Sequence, residues 1–468
     1  MDRRWLIFLL SLVLVGGITA YQNYEKSKKL SRLGTQTRTA FLRWRTQIIG
    51  NETPGRGPMP GLMKGDDVYR VYNYPNPPIM GLILWPLVAL PATIGSMIWF
   101  ALKLIMSAFI IIWAVRLCQE SIGDKPASPW LWIGVTLCSL HPILGDLAHG
   151  NVNIFIAFLV LGVLELFRRA WFASAGLTLA LAIACKITPA LFLPYFGWKW
   201  TIALWDAHKG RIAWSRALTG GPPRLLLACV VGLGIWLFAV PGAILGWEHN
   251  KTLLTSWYEM MAKPFLIDGK ITSEHANQSI PGVVARLLTN SPSDIAFDDD
   301  DQPYTAASHN FVDIGPEAAR WVVRGFQALW VLAIVGLCWS RQRQGLLTAA
   351  EVGLVMLGML LFSERTWKHH AVVLAVPFAV LVTFLANRWH EQKWRRIAII
   401  WLAIVLGLMF IPSIFGGKFQ DLALTYGTHA AAFVLLAIAM CGVLWNSLKT
   451  SPRRTEFAPP LRHGEAEE

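Results

Sequence analysis

Apolar residues recur along this chain in stretches long enough to cross a bilayer, divided by short polar connections. A bilayer core of roughly 30 Å takes about 17 to 25 mostly apolar residues per helix. Twelve stretches read as spans: Trp5 to Ala20, Met97 to Val115, Trp130 to Leu144, Val152 to Phe167, Ala173 to Cys185, Ala190 to Trp205, Leu225 to Leu245, Trp321 to Trp339, Leu346 to Phe362, Ala371 to Leu385, Ile397 to Ile414 and Thr428 to Leu444. The first follows a basic start and is read as a retained signal anchor, with a cleaved signal peptide as the alternative. A further run, Ile79 to Ile94, is bounded by Pro77-Pro78 and interrupted by Pro86 and Pro91. Counted as a span, it would place the basic connections at Arg168-Arg169, Lys199 to Arg224 and Arg388 to Arg396 outside. Read as interfacial or re-entrant, it places them inside with Arg341, Arg343 and Arg453-Arg454, as the positive-inside rule asks.

The expected architecture is therefore an all-α polytopic membrane protein of about twelve transmembrane helices plus an interfacial helix. The membrane domain covers 1–448, with external loops at 21–78 and 246–319, and 449–468 forms a disordered cytoplasmic tail. Both termini are expected inside. External turns are expected at His141 to Asn153, Lys186 to Pro189, Ser363 to His370 and Gly416 to Gly427. The first loop is itself basic, but long loops translocate largely regardless of charge.

Composition agrees with this pattern. The 468 residues are 54% hydrophobic and 15% charged, against about 25% charged in a soluble domain, which argues against a water-soluble enzyme. The 23 tryptophans suit the lipid interface. A net charge of +13 would fit nucleic acid, yet the excess lies mostly in connections between apolar runs, where it orients the chain in a bilayer. Six cysteines scattered in or beside apolar runs show neither disulfide framework nor zinc spacing.

Five polar clusters gather on the expected outer side, where an ionisable group at a membrane edge is a functional candidate. Asp66-Asp67 leads through Tyr69, Arg70, Tyr72 and Asn73 to Tyr74-Pro75-Asn76-Pro77-Pro78, a place for a general base beside a hydroxylated acceptor, or an ordinary aromatic belt. His141-Pro142, Asp146 and His149-Gly150-Asn151-Val152-Asn153 open a span, where one Asn can cap and the other face a cavity. Lys186, in Cys185-Lys186-Ile187-Thr188-Pro189, is a lone cation suited to a phosphate or to snorkelling. Glu274-His275-Ala276-Asn277-Gln278-Ser279 includes a formal glycosylation sequon, and the nearby Asp298 to Asp301 run reads as solvated loop. Ser363-Glu364-Arg365-Thr366-Trp367-Lys368-His369-His370 suits acid/base or phosphate work, or a structural cap. Its adjacent histidines point apart and lack a third zinc ligand at fitting spacing.

In this order the clusters resemble the GT-C superfamily of membrane glycosyltransferases, and more narrowly glycosyltransferase family 87, the polyprenol-phosphate-mannose-dependent mannosyltransferases. His149-Gly150-Asn151-Val152-Asn153 stands where that family usually has Gly-Gln-x-Asn, Lys186 to Pro189 resembles its Lys-x-x-Pro, Asn277-Gln278-Ser279 its Asn-Gln-Ser and Trp367-Lys368-His369-His370 its Trp-x-His-His. One departure stands out: the stretch Thr37 to Trp44, where the family places a catalytic Asp, has no carboxylate.

The resemblance implies transfer of mannose or another hexose from a polyprenyl phosphate to a lipid or glycan acceptor on the extracytoplasmic face of a bacterial inner membrane. Membrane lipids are its surroundings, and nucleic acid, metal and cofactor have no part. Asp66, Asp67, His369 and His370 compete as base. Lys186 and Lys368, with Arg365 in reserve, would hold the donor phosphate. Tyr74, His149, Asn151, Asn153, Asn277, Gln278, Ser279 and Trp367 would line the sugar and acceptor. The rival readings are a polytopic lipid or glycan transporter or flippase, and a non-catalytic relative of the enzyme. Transporters tend to repeated halves and mid-membrane charges, and the sequence displays neither.

Overall fold

The computed structural model describes residues 3–28, 39–50, 59–72, 74–119, 127–297, 303–340 and 343–450. Thr37, Arg38, Asn73, the Asp298 to Asp301 run, Arg341 and the tail from 451 lie outside them. The chain is a helical bundle, as the apolar runs require: a backbone in hydrocarbon must satisfy every N–H and C=O internally.

In chain order the helices are α1 (Arg3–Lys28), α2 (Ala40–Ile49), α3 (Val68–Val71), α4 (Pro78–Val88), α5 (Ala92–Leu117), α6 (Pro129–His149), α7 (Asn153–Arg168), α8 (Phe172–Cys185) and α9 (Phe192–His208). Then follow α10 (Trp214–Leu218), α11 (Gly221–Leu233), α12 (Val240–Leu245), α13 (Trp247–Trp257), α14 (Lys263–Leu266), α15 (Ile280–Leu288) and α16 (Gly315–Leu337). The last are α17 (Leu346–Leu361), α18 (Ala375–Asn387), α19 (Gln392–Phe415), α20 (Gly417–Thr425) and α21 (Thr428–Thr450). A small antiparallel hairpin, β1 (Asp294–Phe297) with β2 (Pro303–Ala307), is the departure from an all-helical chain.

A helix lies at each of the twelve expected positions. Among the described residues seven helical segments are long and apolar enough to cross a membrane: α5, α6, Trp214–Leu245, α16, Lys368–Asn387, α19 and the segment Thr428–Ser447 of α21. The run from Ile79 breaks in two. Its first part is α4, whose 11 residues reach only about 16 Å at 1.5 Å per residue, too short to span. Its second part opens α5, with Pro91 as N-cap, a position where the missing N–H costs no helical hydrogen bond.

Several boundaries differ from expectation. α6 continues through Pro142 to His149, so His141 and Asp146 stand on a helix and only Gly150 to Val152 turn. Lys199, expected both within the span ending at Trp205 and at the start of a basic connection, lies within α9 and pairs with the buried Glu351 at 2.6 Å. Arg343 meets the same carboxylate at 2.9 Å, and the Tyr195 hydroxyl donates to it at 3.0 Å. The loop expected at 21–78 carries α2, α3 and the short 3-10 helix Leu62–Lys64, the one expected at 246–319 carries α13 to α15, and Gly416 to Gly427 is mostly α20. Polar connections with enough apolar residues fold onto the bundle: Phe41, Leu42, Trp44 and Ile48 of α2 are buried in the core.

α8 packs closely on α11. A Cβ on Gly176 would come within 2.3 Å of the Leu225 carbonyl oxygen, and one on Gly232 within 2.6 Å of the Ala180 Cβ. Small residues let membrane helices approach backbone to backbone. Gly176→Leu should therefore lower stability by about 1 to 3 kcal/mol, the range for overpacking. Thermal unfolding in detergent reads this, and an unchanged midpoint would contradict the packing.

Candidate active site

The site grows from the turn between α6 and α7. Gly150, at φ 73°, ends α6 and sends its N–H back to the Asp146 carbonyl at 2.9 Å. Glycine is needed twice here, for the left-handed backbone and because a Cβ would crowd the Thr39 Cβ at 3.2 Å. Neither Asn caps α7. Asn151 accepts from the Val152 N–H at 2.7 Å, which turns its amide nitrogen toward His369 Nε2, 3.1 Å away. Asn153 faces inward. It donates to Asp146 Oδ1 at 2.9 Å and accepts from the Lys186 ammonium at 2.8 Å.

Asp146 is 0% exposed, and Lys103 in mid-α5 is 1% exposed. Lys103 Nζ lies 2.9 Å from Asp146 Oδ2 and 2.5 Å from the Asp146 carbonyl. The Ile154 N–H donates to Oδ2 at 3.3 Å, so Asp146 satisfies the start of α7 that the asparagines leave open. Its carboxylate thus accepts from an ammonium, an amide and a backbone N–H, which offsets the cost of burying the charge.

α8 stops at Cys185, leaving Lys186 in extended backbone before the 3-10 turn Thr188–Leu191. Burial pushes its ammonium down to about 8, opposed by Asp146 and Glu364. Across from it, the segment 363–367 leads into a 3-10 turn, Lys368–Leu374, that continues into α18. The His369 ring lies 4.3 Å from His149, 4.8 Å from His370 and 5.4 Å from Trp367, between centroids. His370 Nδ1 lies 3.1 Å from the Arg365 carbonyl and 3.3 Å from the Trp367 N–H, and these two backbone contacts fix the orientation of the ring. A small open cleft is lined by Asn153, Lys186, Thr188, Met359, Ser363 and His370. Burial raises the Glu364 carboxyl above its ordinary range against the pull of Arg365 and Lys186, so a carboxyl of shifted acidity sits near this cation.

The remaining candidates are elsewhere. Asp66 accepts from the Gly61 N–H at 2.8 Å. Asp67 caps α3 through the Tyr69 N–H at 3.2 Å, accepts from Ser256 Oγ at 2.5 Å and pairs with Arg70 at 3.2 Å. Both carboxylates shape their own loop, and among the described residues no hydrogen bond or ion pair ties them to His369 or His370. Tyr74 is buried near Cys185 with its hydroxyl unpartnered, and burial raises its pKa. Lys368 is exposed, acts electrostatically on His141 and His429, and is not among the residues that line the cleft with Lys186. Arg365 reaches Thr272 Oγ at 3.4 Å and lies over the Phe265 ring.

Asn277, Gln278 and Ser279 are all 0% exposed. The Asn277 amide donates to the Thr272 and Glu364 carbonyls, both at 2.8 Å, and its oxygen accepts from the Thr366 and Ser279 N–H groups at 2.9 and 3.1 Å. The Gln278 amide donates to the His275 and Leu424 carbonyls, both at 2.7 Å, and accepts from the His429 N–H at 3.2 Å. Ser279 caps α15. With all four N–H donors of the two amides and both acceptor sites of Asn277 engaged, and with the side chains sealed from solvent, they hold the histidine-bearing segment in place. Arg286 completes the knot, fully buried and donating only to backbone carbonyls, of Thr425, Ser273, Glu274, Asn277 and Leu424.

Sequence reasoning named no role for Lys103, Asp146, Glu364 or Arg286. A lone Lys within an apolar run was the one available signal for Lys103. Asp146 and Glu364 lie inside the quoted clusters, and Arg286 resembles any basic loop residue.

Residues 74–364 match the model of Glycosyltransferase family 87. The chain belongs to that family. The matched stretch takes in Tyr74, Lys103, Asp146, Lys186, Asn277 and Glu364 and stops before the His369-His370 pair. Among its relatives is a polyprenol-phosphate-mannose-dependent alpha-(1-2)-phosphatidylinositol mannoside mannosyltransferase of Mycobacterium tuberculosis, 26% identical over 295 residues, 60% of this chain and 53% of that protein. A protein of the same description from Mycolicibacterium smegmatis is 27% identical over 284 residues, 58% of this chain and 51% of that one. The family 87 chain thus spans about half the length of the curated relatives it matches.

If the Asn277 knot fixes the family 87 cleft, Asn277→Leu should orphan buried groups at about 1 to 3 kcal/mol each. The measured outcome should be a large fall in unfolding temperature. Asn277→Asp keeps the acceptor and should fall between the two. Equal stability of all three would remove the knot.

Proposed function

We propose that this family 87 chain is a membrane hexosyltransferase that moves mannose or another hexose from a polyprenyl phosphate to a lipid or glycan acceptor on the extracytoplasmic face. The observation that carries the reading is the cleft in which Lys186, partnered directly among the described residues only by the neutral Asn153, faces His370. A sugar leaving a phosphate needs positive charge where the leaving oxygen gains negative charge, and a cation not neutralised by direct carboxylate pairing is placed to supply it. The names of the two mycobacterial relatives support the donor class. The positive-inside pattern and the position of the cleft at the polar-cluster end of the bundle support the face.

In this reading the acceptor oxygen attacks the anomeric carbon and its proton passes to His370 Nε2. The bond from that carbon to the phosphate oxygen breaks, and polyprenyl phosphate leaves against Lys186. The Arg365 carbonyl and the Trp367 N–H hold the Nδ1 edge of the ring and leave Nε2 for the acceptor. Asn151, His149, His369 and Trp367 border the sugar, α4 borders the lipid chain, and Arg365 assists at the rim. Lys186 supplies the charge, so the reaction calls for no cofactor. Glu364 is the second candidate base, favoured by its raised pKa and proximity to Lys186.

Purified protein given a polyprenyl-phosphate hexose separates the possibilities: transfer supports the enzyme, movement of lipid without transfer a flippase, and neither a non-catalytic relative. Lys186→Ala should weaken turnover about tenfold to a hundredfold, from a charge-assisted contact of about 1.5 to 3 kcal/mol. His370→Ala should abolish transfer while Glu364→Gln retains it; the reverse result moves the base to Glu364. For orientation, Lys270→Cys should be labelled from outside intact cells and Arg211→Cys only after permeabilisation, both positions being exposed.

The Lys186 pKa fixes a pH signature. The ammonium is the phosphate-binding form, present below about 8 and lost as pH rises through that value. The bound phosphodiester anion raises this pKa in the complex. Above pH 8 the donor KM should rise by about tenfold per pH unit while kcat at saturating donor holds. A donor KM flat from pH 7 to 9.5 would separate Lys186 from the phosphate.

A further inference from the structure

We infer that the buried pair Lys103–Asp146 positions Lys186 for the donor phosphate, acting through Asn153 and keeping the Lys186 charge available. The inference rests on the proposed donor class. It assigns work to two residues that touch neither cleft nor substrate.

The geometry fixes the direction of each hydrogen bond. An ionised carboxylate only accepts, so Asp146 Oδ1 must receive the Asn153 amide nitrogen, 2.9 Å away. That sets the amide, and its oxygen necessarily faces Lys186 Nζ at 2.8 Å. The flip of Asn153, ambiguous for an isolated amide, is decided by its neighbour. Lys186 is therefore held by a neutral acceptor, which orders the ammonium without cancelling its charge.

Lys103 supplies the second half of the argument. Asp146 lies close enough to act electrostatically on Lys186. Unpaired, its carboxylate would compete with any phosphate for that ammonium. Lys103, 2.9 Å from Oδ2 and 1% exposed, balances that charge from the side away from Asn153. The order Lys103, Asp146, Asn153, Lys186 crosses α5, α6, the start of α7 and the end of α8. It leaves one net positive charge, placed at the cleft. A simple packing role would need no polar chain, since a buried ion pair is often replaceable by apolar residues without loss of stability.

The test uses the full chain in lipid nanodiscs and two readouts: donor KM with kcat, and direct binding of sugar-free polyprenyl monophosphate. Lys103→Met leaves the Asp146 charge uncompensated and should weaken both donor KM and phosphate binding at least about tenfold, with acceptor KM unchanged. The neutral double variant Lys103→Met/Asp146→Asn keeps an acceptor for Asn153 and should return to within about threefold of wild type. Should Lys103→Met fail to fold, Asn153→Leu decides: loss of positioning weakens binding of the sugar-free lipid, whereas loss of a sugar contact leaves it intact. Wild-type lipid binding in folded Lys103→Met, a double variant no better than the single, or wild-type lipid binding in Asn153→Leu overturns the inference. A wild-type chain that binds the lipid but transfers nothing defeats the enzyme reading and leaves the positioning intact. A wild type that binds no polyprenyl phosphate defeats both.

Discussion

A carboxylate sealed from water must be compensated where it stands, and the arrangement around Asp146 follows from that requirement. Its three donors come from α5, from the first turn of α7 and from Asn153. Removing any one leaves a charge or a polar group in a low-dielectric interior, where the penalty exceeds that of losing an ordinary contact. The helices that supply these donors are thereby held in one register. α8 joins them through Lys186, which gives the end of an otherwise small-residue helix a fixed polar anchor.

The opposite end of the bundle solves a similar problem differently. Glu351 is nearly sealed and takes Lys199, Arg343 and the Tyr195 hydroxyl directly. Glu165 takes Arg168 and Arg169 from its own helix end. In both places the cations meet carboxylate oxygens directly, and their charge is spent on holding helices together. At the cleft one amide is interposed between carboxylate and lysine. The difference between a structural and a chemically available cation is thus one neutral side chain, Asn153.

These arrangements explain what a linear reading captures. Helix positions were legible because hydropathy is a local property averaged over a span, and the bundle supplies helices where the apolar runs lie. Boundaries slipped where a residue had two permissible roles: Pro142 within α6, Pro91 at the head of α5, Lys199 inside α9. The clusters around His149, Lys186 and His369 were legible as unusual polarity at helix ends, and the structure brings those three together. Asn277, Gln278 and Ser279 were equally conspicuous for another reason, since they saturate one another's backbone neighbours. Lys103 stayed hidden because a single cation barely moves an apolar average, and its partner Asp146 is distant in sequence. Arg286 stayed hidden because its acceptors are backbone carbonyls, which carry no sequence identity at all.

The same logic bears on where a base can come from. Asp66 and Asp67 were attractive because a carboxylate was missing from the stretch ending at Trp44. Yet Asp67 already accepts from Ser256, Arg70 and a helix N-terminus, and Asp66 is turned to the Gly61 N–H of its own loop. His369 is engaged as well, its Nε2 facing the Asn151 amide whose orientation the Val152 N–H decides. His370 differs: one ring nitrogen is held by the backbone of Arg365 and Trp367, and the ring lines the cleft beside Lys186. Its segment is itself fastened by the Asn277 amide through the Thr366 N–H and the Glu364 carbonyl. The two walls of the cleft therefore rest on separate foundations, Lys186 on the buried charge pair and His370 on the loop knot. Disturbing one should leave the other standing, and this independence lets phosphate binding and proton transfer be separated by mutation.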